Sequence, residues 1–484
     1  MPLQKNQVLT LRVERLSSDG SGVAHSPDGE TVFIPGAAPG DEARVRIVKD
    51  CKRYAFGILD EVLTPSPDRI PVDCAVAGPC GGCSLRHLDY AAELRAKQEN
   101  VADAFARIGG LDVPVLPIVG SPEVNRYRNK VQFPVGVDKS GKPCIGFYAG
   151  RTHRIVPCPD CRLQPGVLNE IGNALCAFFA EKGIQPYSEE TGRGLVRHIF
   201  LRRGAHSGQI MVCLVCTRAR LPSAEELCTR LKAQFAEITT ILLNVNAKNT
   251  NVILGTETHT LYGQGYIEDT LCGVPVQLGP LSFYQVNTLA AEQLYGIAAQ
   301  YAQLTPDDLL LDLYCGMGTI GLSMAAHCRE LIGVEIVPEA IESAKANAAR
   351  MGADVAAKSR FFCADAGQAA TRLAAEGLHP DIVMLDPPRK GCDEATLSAV
   401  VRMSPRRVVY VSCNPATAAR DAAWLEQNGY HAEKAQPVDL FPRTRHCECV
   451  IALSKGEIDS KKVRVEFSLE GMDTSGLQKG VSHS

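Results

Sequence analysis

The first 63 residues alternate apolar and polar positions in short runs, the pattern of strands with one buried face. Examples are VLTLRVERL at 8–16 and EARVRIVKD at 42–50, and Asp-Gly and Pro-Gly turn signals separate the runs. Five such runs predict a small closed β-barrel. Barrels of this kind often offer one face to oligonucleotides, and an ordinary spacer barrel fits the pattern equally well.

Residues 64–270 mix helical and strand patterns. A helix at about 90–110, with apolar residues at three- to four-residue spacing and a Gly-Gly stop, could pack on the domain that follows it. Strand-like runs such as QIMVCLVC and NVILG are then interleaved with helical runs such as LNEIGNALCAFFAEKG. This mixture is typical of an α+β domain.

From residue 271 to about residue 455, strands and helices alternate regularly. LLLDLYCGMG, ELIGVEIV, DIVMLDPP and VVYVSC read as strands, and the segments between them read as helices. The alternation predicts a doubly wound, Rossmann-like α/β domain with a parallel sheet. Residues 456–484 are polar and end in a Gly/Ser-rich stretch, which predicts a loosely ordered tail.

The composition restricts the setting of the protein more than its activity. The chain has 484 residues, a net charge of -3, 45% apolar residues and 19 cysteines. We expect about three domains from this length, and any nucleic-acid-binding surface must be local. The start of the chain lacks an apolar signal segment and no run could cross a bilayer, which favours a cytoplasmic protein with no membrane partner. Most cysteines are then expected to be reduced core residues.

A glycine-rich turn follows the first strand of the third domain, at 309–322. Glycine lets the backbone approach a ligand closely, so Gly316 is predicted to line a cofactor site. Glu335, at the end of the next strand, can accept hydrogen bonds from a ribose, and Asp365, after the third, can bind an adenine amino group. Asp386 opens Asp-Pro-Pro after the fourth strand, where a hydride-transfer enzyme needs no acid. The layout favours S-adenosyl-L-methionine over NAD, with a ligand-free scaffold as the weaker alternative.

Cys413 ends the fifth strand, in VVYVSCNP, where a parallel sheet opens onto its ligand crevice. Methylating an amine or hydroxyl needs no protein nucleophile, whereas carbon 5 of a pyrimidine must first be activated by a thiolate adding to carbon 6. The adduct then needs a base for the carbon 5 proton, and Glu448, before the last strand, is a candidate. Taken alone, Cys413 could be a core cysteine and Glu448 a salt-bridged acid at a strand edge.

A second group of cysteines has the spacing Cys-x5-Cys-x2-Cys, in CAVAGPCGGC at 74–83, and CPDC at 158–161 offers a fourth. Thiolates spaced in this way can hold a [4Fe–4S] cluster or a structural zinc ion, and the spacing alone leaves both open. A mere tight turn at residues 80–83 would leave Cys74 unexplained.

Basic residues alternate in RYRNK, so Arg126, Arg128 and Lys130 are predicted on one side of a strand, with an aromatic residue facing the other way. A second basic run, RHIFLRRG, occupies 197–204. Such rows suit an RNA backbone and stacked bases, and a merely solvated strand face is an equal alternative. A stacked target base would have to be flipped out to be methylated.

Six motifs together resemble those of the RNA uracil-5-methyltransferases: SFYQVN, DLYCGMGTIGL, VEIVPEAI, LDPPRKG, VYVSCNPATAARD and FPRTRHCECV. The resemblance covers nearly the whole chain, to about residue 455. The chain is similar to the bacterial ribosomal-RNA branch of this family, which carries an N-terminal TRAM barrel and an iron–sulfur cluster. It implies a TRAM/OB-like barrel at 1–63, a central domain with the cluster at 64–270, and a methyltransferase domain at 271–455 that modifies uridine in 23S rRNA.

The resemblance also implies roles for individual residues. Cys413 is expected to be the nucleophile and Glu448 the proton acceptor. The implied contacts to S-adenosyl-L-methionine are Gln285, Tyr314, Glu335 and Asp386, and the implied ligands of a [4Fe–4S] cluster are Cys74, Cys80, Cys83 and Cys161. Cys158 is then spare, and Cys447 replaces a small apolar residue that is common at this place in the family.

Three other functions stay open at this point. A tRNA uridine-5-methyltransferase would use the same chemistry, although the barrel favours ribosomal RNA. A non-catalytic RNA-binding assembly factor would not need Cys413 and Glu448, and an amino-group methyltransferase acting through Asp-Pro-Pro would leave Cys413 idle. We expect the protein to be a monomer.

Overall fold

The computed structural model describes residues 3–150, 152–248 and 250–456. It consists of a closed barrel, a central seven-stranded sheet, a two-stranded hairpin and a second seven-stranded sheet. The predicted tail at 456–484 lies, after its first residue, outside the described residues. No helix in the described part of the chain is long and apolar enough to span a membrane.

The predicted five-stranded barrel is confirmed. Its strand order is β1-β2-β3-β5-β4, and the alternating apolar residues point inward, as period-two patterning requires. The third and fifth strands pair in parallel and all other neighbours are antiparallel. The strands are β1 (Val8–Leu16), β2 (Ser21–His25), β3 (Thr31–Pro35), β4 (Glu42–Asp50) and β5 (Tyr54–Thr64).

A helical segment links the barrel to the rest of the protein. It comprises α1 (Ala77–Cys80), α2 (Tyr90–Asp103) and a π-helical turn at Ala104–Gly109. Asp89 caps α2 by accepting hydrogen bonds from two amides of its first turn. The buried residues Val101 and Phe105 pack in the core of the third domain, so this segment lies against the third domain although it precedes the central sheet in the chain.

The central sheet has the order β12-β11-β10-β9-β6-β7-β8. Alternate residues of β9 and β10 enter two different cores, which explains why these strands read as continuous apolar runs. Residues 251–255 are not a strand, contrary to the prediction. The elements are β6 (Lys130–Val137), β7 (Pro143–Tyr148), β8 (Ile155–Pro157), α3 (Gly166–Glu181), β9 (Val196–Arg203), β10 (Ile210–Cys216), α4 (Ala224–Gln234), β11 (Ile238–Val245) and β12 (Glu257–Tyr262).

A hairpin of β13 (Ile267–Leu271) and β14 (Val274–Leu278) joins the central sheet to the third domain. The buried side chains of both strands belong to the same core as α5 and the second sheet. The predicted boundary between residues 270 and 271 therefore falls inside this hairpin.

The third domain contains a sheet of order β17-β16-β15-β18-β19-β21-β20 with helices on both faces. The elements are α5 (Thr288–Ala302), β15 (Leu309–Leu313), α6 (Thr319–Met324), β16 (Glu330–Glu335), α7 (Pro338–Met351), α8 (Ala353–Lys358), β17 (Ser359–Cys363), α9 (Ala366–Ala375), β18 (Ile382–Leu385), α10 (Glu394–Met403), β19 (Arg407–Ser412), α11 (Pro415–Gln427), β20 (Tyr430–Val438) and β21 (Glu448–Lys455).

The prediction of a fully parallel sheet is wrong at one edge. The strands β15 to β19 are parallel, but β21 runs antiparallel to both β19 and β20. β20 was not predicted, because YHAEKAQPV carries charged and polar residues at several positions. The reversed direction of β21 has a functional consequence, since it places the start of that strand at the edge where the parallel strands end.

Candidate active site and cysteine cavity

The turn after β15 forms the floor of a crevice at the carboxyl edge of the second sheet. Tyr314, Gly316 and Gly318 all have positive φ angles, of 67°, 55° and 79°. The amide of Gly316 donates to Oε2 of Glu335 at 3.1 Å. The turn thus brings backbone, an aromatic ring and a carboxylate to one side of the crevice, as the glycine pattern predicts.

Glu335 and Asp365 are held in different ways at the rim of this crevice. Glu335 uses Oε1 to accept from the amides of Ile336 and Val337, at 2.8 and 3.0 Å. Asp365 lies two residues beyond the end of β17 and caps α9, where its Oδ1 accepts from the Gln368 amide at 3.1 Å. One oxygen of Asp365 therefore has a structural task, so a role towards an adenine stays an expectation.

Two acids lie deeper in the crevice. Asp312 is fully buried and accepts from the Gly321 amide at 3.0 Å through Oδ2, while its Oδ1 has no hydrogen-bond partner among the described residues. Burial, with Asp386 and Glu335 nearby, raises the pKa of Asp312 to about 8. Burial also raises the pKa of Asp386, at the end of β18, to about 7. Acids crowded in this way favour a cationic ligand.

The Gln285 segment closes the crevice on the side of the central sheet. The side-chain amide of Asn129 donates to the Gln285 carbonyl at 2.8 Å, which ties this segment to the residue before β6. The side chains of Gln285 and Thr319 form hydrogen bonds with Tyr295, whose pKa burial raises. Gln285 is therefore connected to the helix that begins at the glycine turn.

Cys413 and Glu448 lie opposite each other at the mouth of the crevice. In the antiparallel ladder of β19 and β21, Ser412 pairs with Cys449, so the next register position brings Cys413 opposite Glu448. Cys413 is partly exposed, whereas Glu448 is buried, with 6% of its surface exposed. The two residues predicted to act together, 35 positions apart in sequence, are adjacent in space.

The surroundings of Cys413 act on its thiol in opposite directions. Burial and the Glu448 carboxylate raise its pKa, and Arg389 opposes this rise through its charge and a hydrogen bond. The thiol also precedes α11, whose Asn414 cap accepts from the Ala416 amide, and a helix N-terminus favours an anion. Arg389 was not predicted, although its place three residues after Asp386, at the same strand end, was a usable signal.

Glu448 lies in surroundings that raise its affinity for a proton. Burial and the nearby Asp386 raise its pKa to about 8, and Arg389 opposes this rise. Burial, together with Arg389 and Arg445, lowers the pKa of His446 to about 4, which leaves that imidazole neutral. Glu448 is therefore a carboxyl group with a proton affinity suited to accepting and losing a proton near neutral pH.

Five cysteines line one cavity of about 270 Å³ between the segment at 74–83 and the central sheet. They are the four predicted ligands, Cys74, Cys80, Cys83 and Cys161, together with Cys158. Cys158, expected to be spare as a ligand, lies beside Cys161, and its hydrogen bond lowers the pKa of Cys161 to about 6. None of the five is in a disulfide, and within the described residues no three His, Cys or acidic side chains converge on a point that would hold a single metal ion.

Arg86 is a buried cation of the cysteine cavity and was not predicted from the sequence. It is buried, with 3% of its surface exposed, and Nη1 donates to Asp73 at 2.7 Å and to Asn125 at 3.0 Å. Its Nε and Nη2 atoms have no acceptor in the described part of the chain. The charge of Arg86 opposes the rise that burial causes in the pKa of Cys83, so this guanidinium lies near the thiols.

The predicted basic strand at 126–130 is wrong in its geometry, because β6 begins only at Lys130. Arg126 has a φ of 61° and donates to both oxygens of Asp160 and to the Cys161 carbonyl. Arg128 and Lys130 line the cysteine cavity, and burial with neighbouring arginines lowers the pKa of Lys130 to about 8. The three cations surround the cysteines instead of forming one row.

The second basic run is largely structural. Arg197 donates to the carbonyls of Asn246 and Lys248, and Arg202 to those of Gly279 and Ser282. Both arginines and His198 are buried. These side chains connect the central sheet to neighbouring loops, so the alternation at 197–204 does not mark an exposed basic face.

Comparisons with known proteins agree with this architecture. A family model described as tRNA (uracil-5-)-methyltransferase matches residues 200–456, and a TRAM domain model matches residues 2–59. The predicted nature of the barrel is thereby confirmed.

Individual relatives extend the match over almost the whole chain. An uncharacterized RNA methyltransferase of Halalkalibacterium halodurans is 43% identical over 453 residues, which cover 93% of this chain and 98% of the relative. One of Listeria monocytogenes is 42% identical, with the same two coverages. The solved Pyrococcus abyssi tRNA (uracil-54, C5)-methyltransferase in complex with S-adenosyl-L-homocysteine is 26% identical, has a TM-score of 0.73, and covers 92% of this chain and 100% of its own. The chain therefore belongs to the S-adenosyl-L-methionine-dependent RNA uracil-5-methyltransferase family.

Proposed function

We propose that this protein methylates carbon 5 of uridine in 23S rRNA through a covalent adduct on Cys413. The observation that carries the proposal is the pairing of a partly exposed thiol with a buried carboxyl group at the mouth of the crevice. An amino-group methyltransferase needs neither residue, and a non-catalytic assembly factor needs no such pair.

The first step is the addition of the Cys413 thiolate to carbon 6 of the uracil ring. A sulfur–carbon bond forms, and the electron pair of the carbon 5–carbon 6 double bond moves into the enolate at oxygen 4. The Arg389 guanidinium and the N-terminus of α11 favour the thiolate form against burial and Glu448. Carbon 5 of the enolate is then nucleophilic enough to take a methyl group from a bound sulfonium, whose sulfur–methyl bond would break with its electron pair left on sulfur, to give S-adenosyl-L-homocysteine.

S-adenosyl-L-methionine supplies an electrophilic methyl group when it is bound. The residues that suit it are those of the crevice floor, with Gly316 and Tyr314 in the turn, Glu335 positioned for a ribose and Asp365 for an adenine. The Oδ1 of Asp312, which has no partner among the described residues, can accept from an ammonium group, and a bound cation would favour the charged form of Asp312 and of Asp386 beside it. Gln285, whose side chain forms a hydrogen bond with Tyr295, is the remaining proposed contact to S-adenosyl-L-methionine.

Glu448 completes the reaction in this proposal. Its carboxylate removes the proton from the methylated carbon 5, the electrons of that bond re-form the carbon 5–carbon 6 double bond, and the thiolate of Cys413 leaves carbon 6. The position of Glu448 opposite Cys413 supports this role, because the base must reach the carbon next to the one that carries sulfur. The raised pKa of Glu448 also lets it hold the proton until the product leaves.

The cysteine cavity fits a [4Fe–4S] cluster, with Cys74, Cys80, Cys83 and Cys161 as ligands. Its thiols surround a volume of about 270 Å³, whereas structural zinc needs four ligands about 2.3 Å from one point. The unpaired nitrogen atoms of Arg86 can donate to the sulfurs of an anionic cluster. When bound, the cluster supplies structural cross-links and charge, and Arg126 braces the loop that carries Cys161.

Arg128 and Lys130 are proposed RNA contacts on the side of the crevice next to the cysteine cavity. The Arg128 side chain has no ion pair among the described residues, unlike Arg126, which is engaged with Asp160. A cation without a protein partner is available to a phosphate. Arg126 contributes by fixing the backbone before Arg128, so its part in RNA binding is indirect.

The choice of 23S rRNA over tRNA rests on the resemblance to the ribosomal-RNA branch and on the barrel. A tRNA substrate is the second candidate, favoured by the solved Pyrococcus abyssi relative, which acts on tRNA. A cytoplasmic location and a monomeric state stay predictions.

A trapping experiment tests the proposal. Unmodified transcripts of 23S rRNA and of tRNA, made with 5-fluorouridine, are incubated with the protein and S-adenosyl-L-methionine. With fluorine on carbon 5 there is no proton for the base to remove, so the adduct cannot break down. We therefore expect a denaturation-resistant complex with the 23S transcript. A complex with tRNA alone would move the function to the second candidate, and no complex with either RNA would refute the proposed chemistry.

A further inference from the structure

A buried ion cluster joins helix α2 to residues 439–447, which we call the base segment because Glu448 follows it. Glu93, Lys97 and Asp439 are each at most 1% exposed. Nζ of Lys97 donates to Glu93 at 2.7 Å, to Asp439 at 2.8 Å and to the Phe441 carbonyl at 3.2 Å. Burying such a group of charges contributes little to stability compared with apolar packing, so its geometry calls for another explanation.

Asp439 is fixed by donors from several parts of the chain. Its Oδ1 also accepts from the Phe441 amide at 3.1 Å, and its Oδ2 accepts from the Tyr90 hydroxyl at 3.0 Å. The same hydroxyl accepts from the Ser121 amide at 2.7 Å. The start of the base segment is therefore held against α2 and against the strand-like segment that follows α2.

A chain of hydrogen bonds continues from this cluster towards Glu448. The Phe441 carbonyl, which accepts from Lys97, also accepts from the hydroxyl and the amide of Thr444, at 2.8 and 3.1 Å. The Thr444 hydroxyl in turn accepts from the His446 amide at 3.3 Å. Two residues later the chain reaches Glu448, so few links separate the buried lysine from the carboxyl group.

The middle of the base segment is held in an unfavourable backbone conformation by the same cluster. Arg443 has a φ of 69°, in the left-handed region that L-residues avoid. Its amide donates to Oε1 of Glu93 at 2.7 Å, and its guanidinium donates to the Leu88 carbonyl at 2.7 Å. Glu93 thus contacts both Lys97 and Arg443. Helix α2 therefore holds the base segment at two points, Asp439 and Arg443.

We propose that Glu93, Lys97 and Asp439 are positioning residues that hold Glu448 opposite Cys413 for removal of the carbon 5 proton. This inference rests on the proposed function. None of the three touches the reacting atoms, so their loss should slow the last chemical step and leave the attack of Cys413 intact. A role in folding alone would lower both steps together, because it would reduce the amount of native protein.

The test uses Asp439→Asn in the full-length protein with ordinary 23S transcript and S-adenosyl-L-methionine. The amide keeps the size of the side chain but loses the charge that binds Lys97 and Tyr90. We expect free methylated RNA to form about tenfold more slowly while a denaturation-resistant protein–RNA adduct accumulates. Trapping with 5-fluorouridine RNA, which needs Cys413 and the methyl donor but no proton acceptor, should proceed at the wild-type rate.

Two further variants keep the result interpretable. Asp41→Asn removes an equally buried carboxylate that binds Arg69 and the Ser66 amide in the barrel, and it should accumulate no adduct. Tyr90→Phe removes one hydroxyl from the cluster and should give a smaller accumulation. If Asp439→Asn does not fold, by circular dichroism, Tyr90→Phe decides the question.

The outcomes separate this inference from the function beneath it. If folded Asp439→Asn, or Tyr90→Phe in its place, releases product at the wild-type rate without adduct, the positioning role is refuted. It is also refuted if adduct and product fall in parallel. If the wild-type protein itself traps no 5-fluorouridine RNA, the proposed function fails, whatever the variants do.

Discussion

Two regions of the protein present cysteine thiols in different surroundings. In the crevice of the candidate active site, one partly exposed cysteine, Cys413, faces one buried carboxyl group and one arginine. In the cysteine cavity, five thiols face each other and a buried arginine. Cys413 and four of the five cavity cysteines are alike partly exposed. The comparison therefore teaches that the number of neighbouring thiols and the groups that face them, more than exposure, distinguish the proposed nucleophile from the proposed ligands.

Arginine has a different task in each region. Arg389 is exposed and lowers the pKa of the Cys413 thiol, whereas Glu448 raises it. Arg389 also lowers the pKa of Glu448, so the charge of this one arginine affects the reactivity of a single sulfur. Arg86 is buried and paired with Asp73, and its Nε and Nη2 atoms, which have no acceptor among the described residues, can donate to an anion in the cavity. The following predictions would break or sharpen this contrast, from the largest expected effect to the smallest.

Cys413→Ala removes the proposed nucleophile and should abolish trapping of 5-fluorouridine RNA and lower methylation at least about a thousandfold. Methyl transfer from radiolabelled S-adenosyl-L-methionine measures the loss. Cys51→Ala, in the barrel and outside both regions, is the matched control and should retain wild-type activity. Trapping that persists in Cys413→Ala would assign the covalent bond to another residue.

Cys83→Ser should remove nearly all iron from protein purified without oxygen, because a hydroxyl group is a poor ligand for an iron–sulfur cluster. Iron analysis and the visible absorption spectrum report the loss. Cys158→Ser, in the same cavity, should retain iron because Cys161 remains. Wild-type protein that contains zinc and is colourless would overturn the assignment of the cavity.

The pH dependence of adduct resolution should follow Glu448. Its pKa is about 8 and only the carboxylate can accept a proton, so resolution should slow about tenfold per unit as the pH falls below 8. A pH-jump with rapid quenching, which starts from adduct already formed, measures this step apart from the attack of Cys413. A rate that is flat between pH 6 and pH 8 would remove Glu448 from the role of base.

Arg389→Met removes the cation that favours the Cys413 thiolate and should slow alkylation of Cys413 by iodoacetamide about tenfold near pH 7. The pH profile of alkylation should move to higher pH. Arg420→Met is the control, because it removes an arginine of α11 that is paired with Asp421 of the same helix. Equal alkylation of the Arg389→Met variant and the wild type would leave α11 as the main source of thiolate stabilisation.

The sequence predicted best where a local pattern has one structural solution. Alternating residues in the barrel can bury only one face, and acids after successive parallel strands must meet at one edge. Gly316, Glu335, Asp386 and Cys413 therefore lie in the same crevice, as expected. The buried face of each barrel strand followed from its alternating pattern, and the shared edge of the acids followed from their place after each parallel strand. Neither required knowledge of distant contacts.

The errors came from features that depend on distant contacts. Alternation in RYRNK suggested a strand, but the Arg126 side chain is drawn to Asp160 and its backbone turns to a positive φ. The polar residues of β20 hid an edge strand that only its pairing with β21 reveals. The buried cluster of Glu93, Lys97 and Asp439 joins residues more than 340 positions apart, and no local pattern marks it.

The central claim is that the sulfur of Cys413 forms a bond with carbon 6 of uracil, and that removal of the carbon 5 proton by Glu448 leads to cleavage of this bond. The most direct measurement is peptide mapping by mass spectrometry of Glu448→Gln after reaction with ordinary 23S transcript and S-adenosyl-L-methionine. We predict a single modified peptide, with a methylated uridine nucleotide on Cys413. Free turnover by Glu448→Gln, or a nucleotide attached to any other residue, would contradict this account.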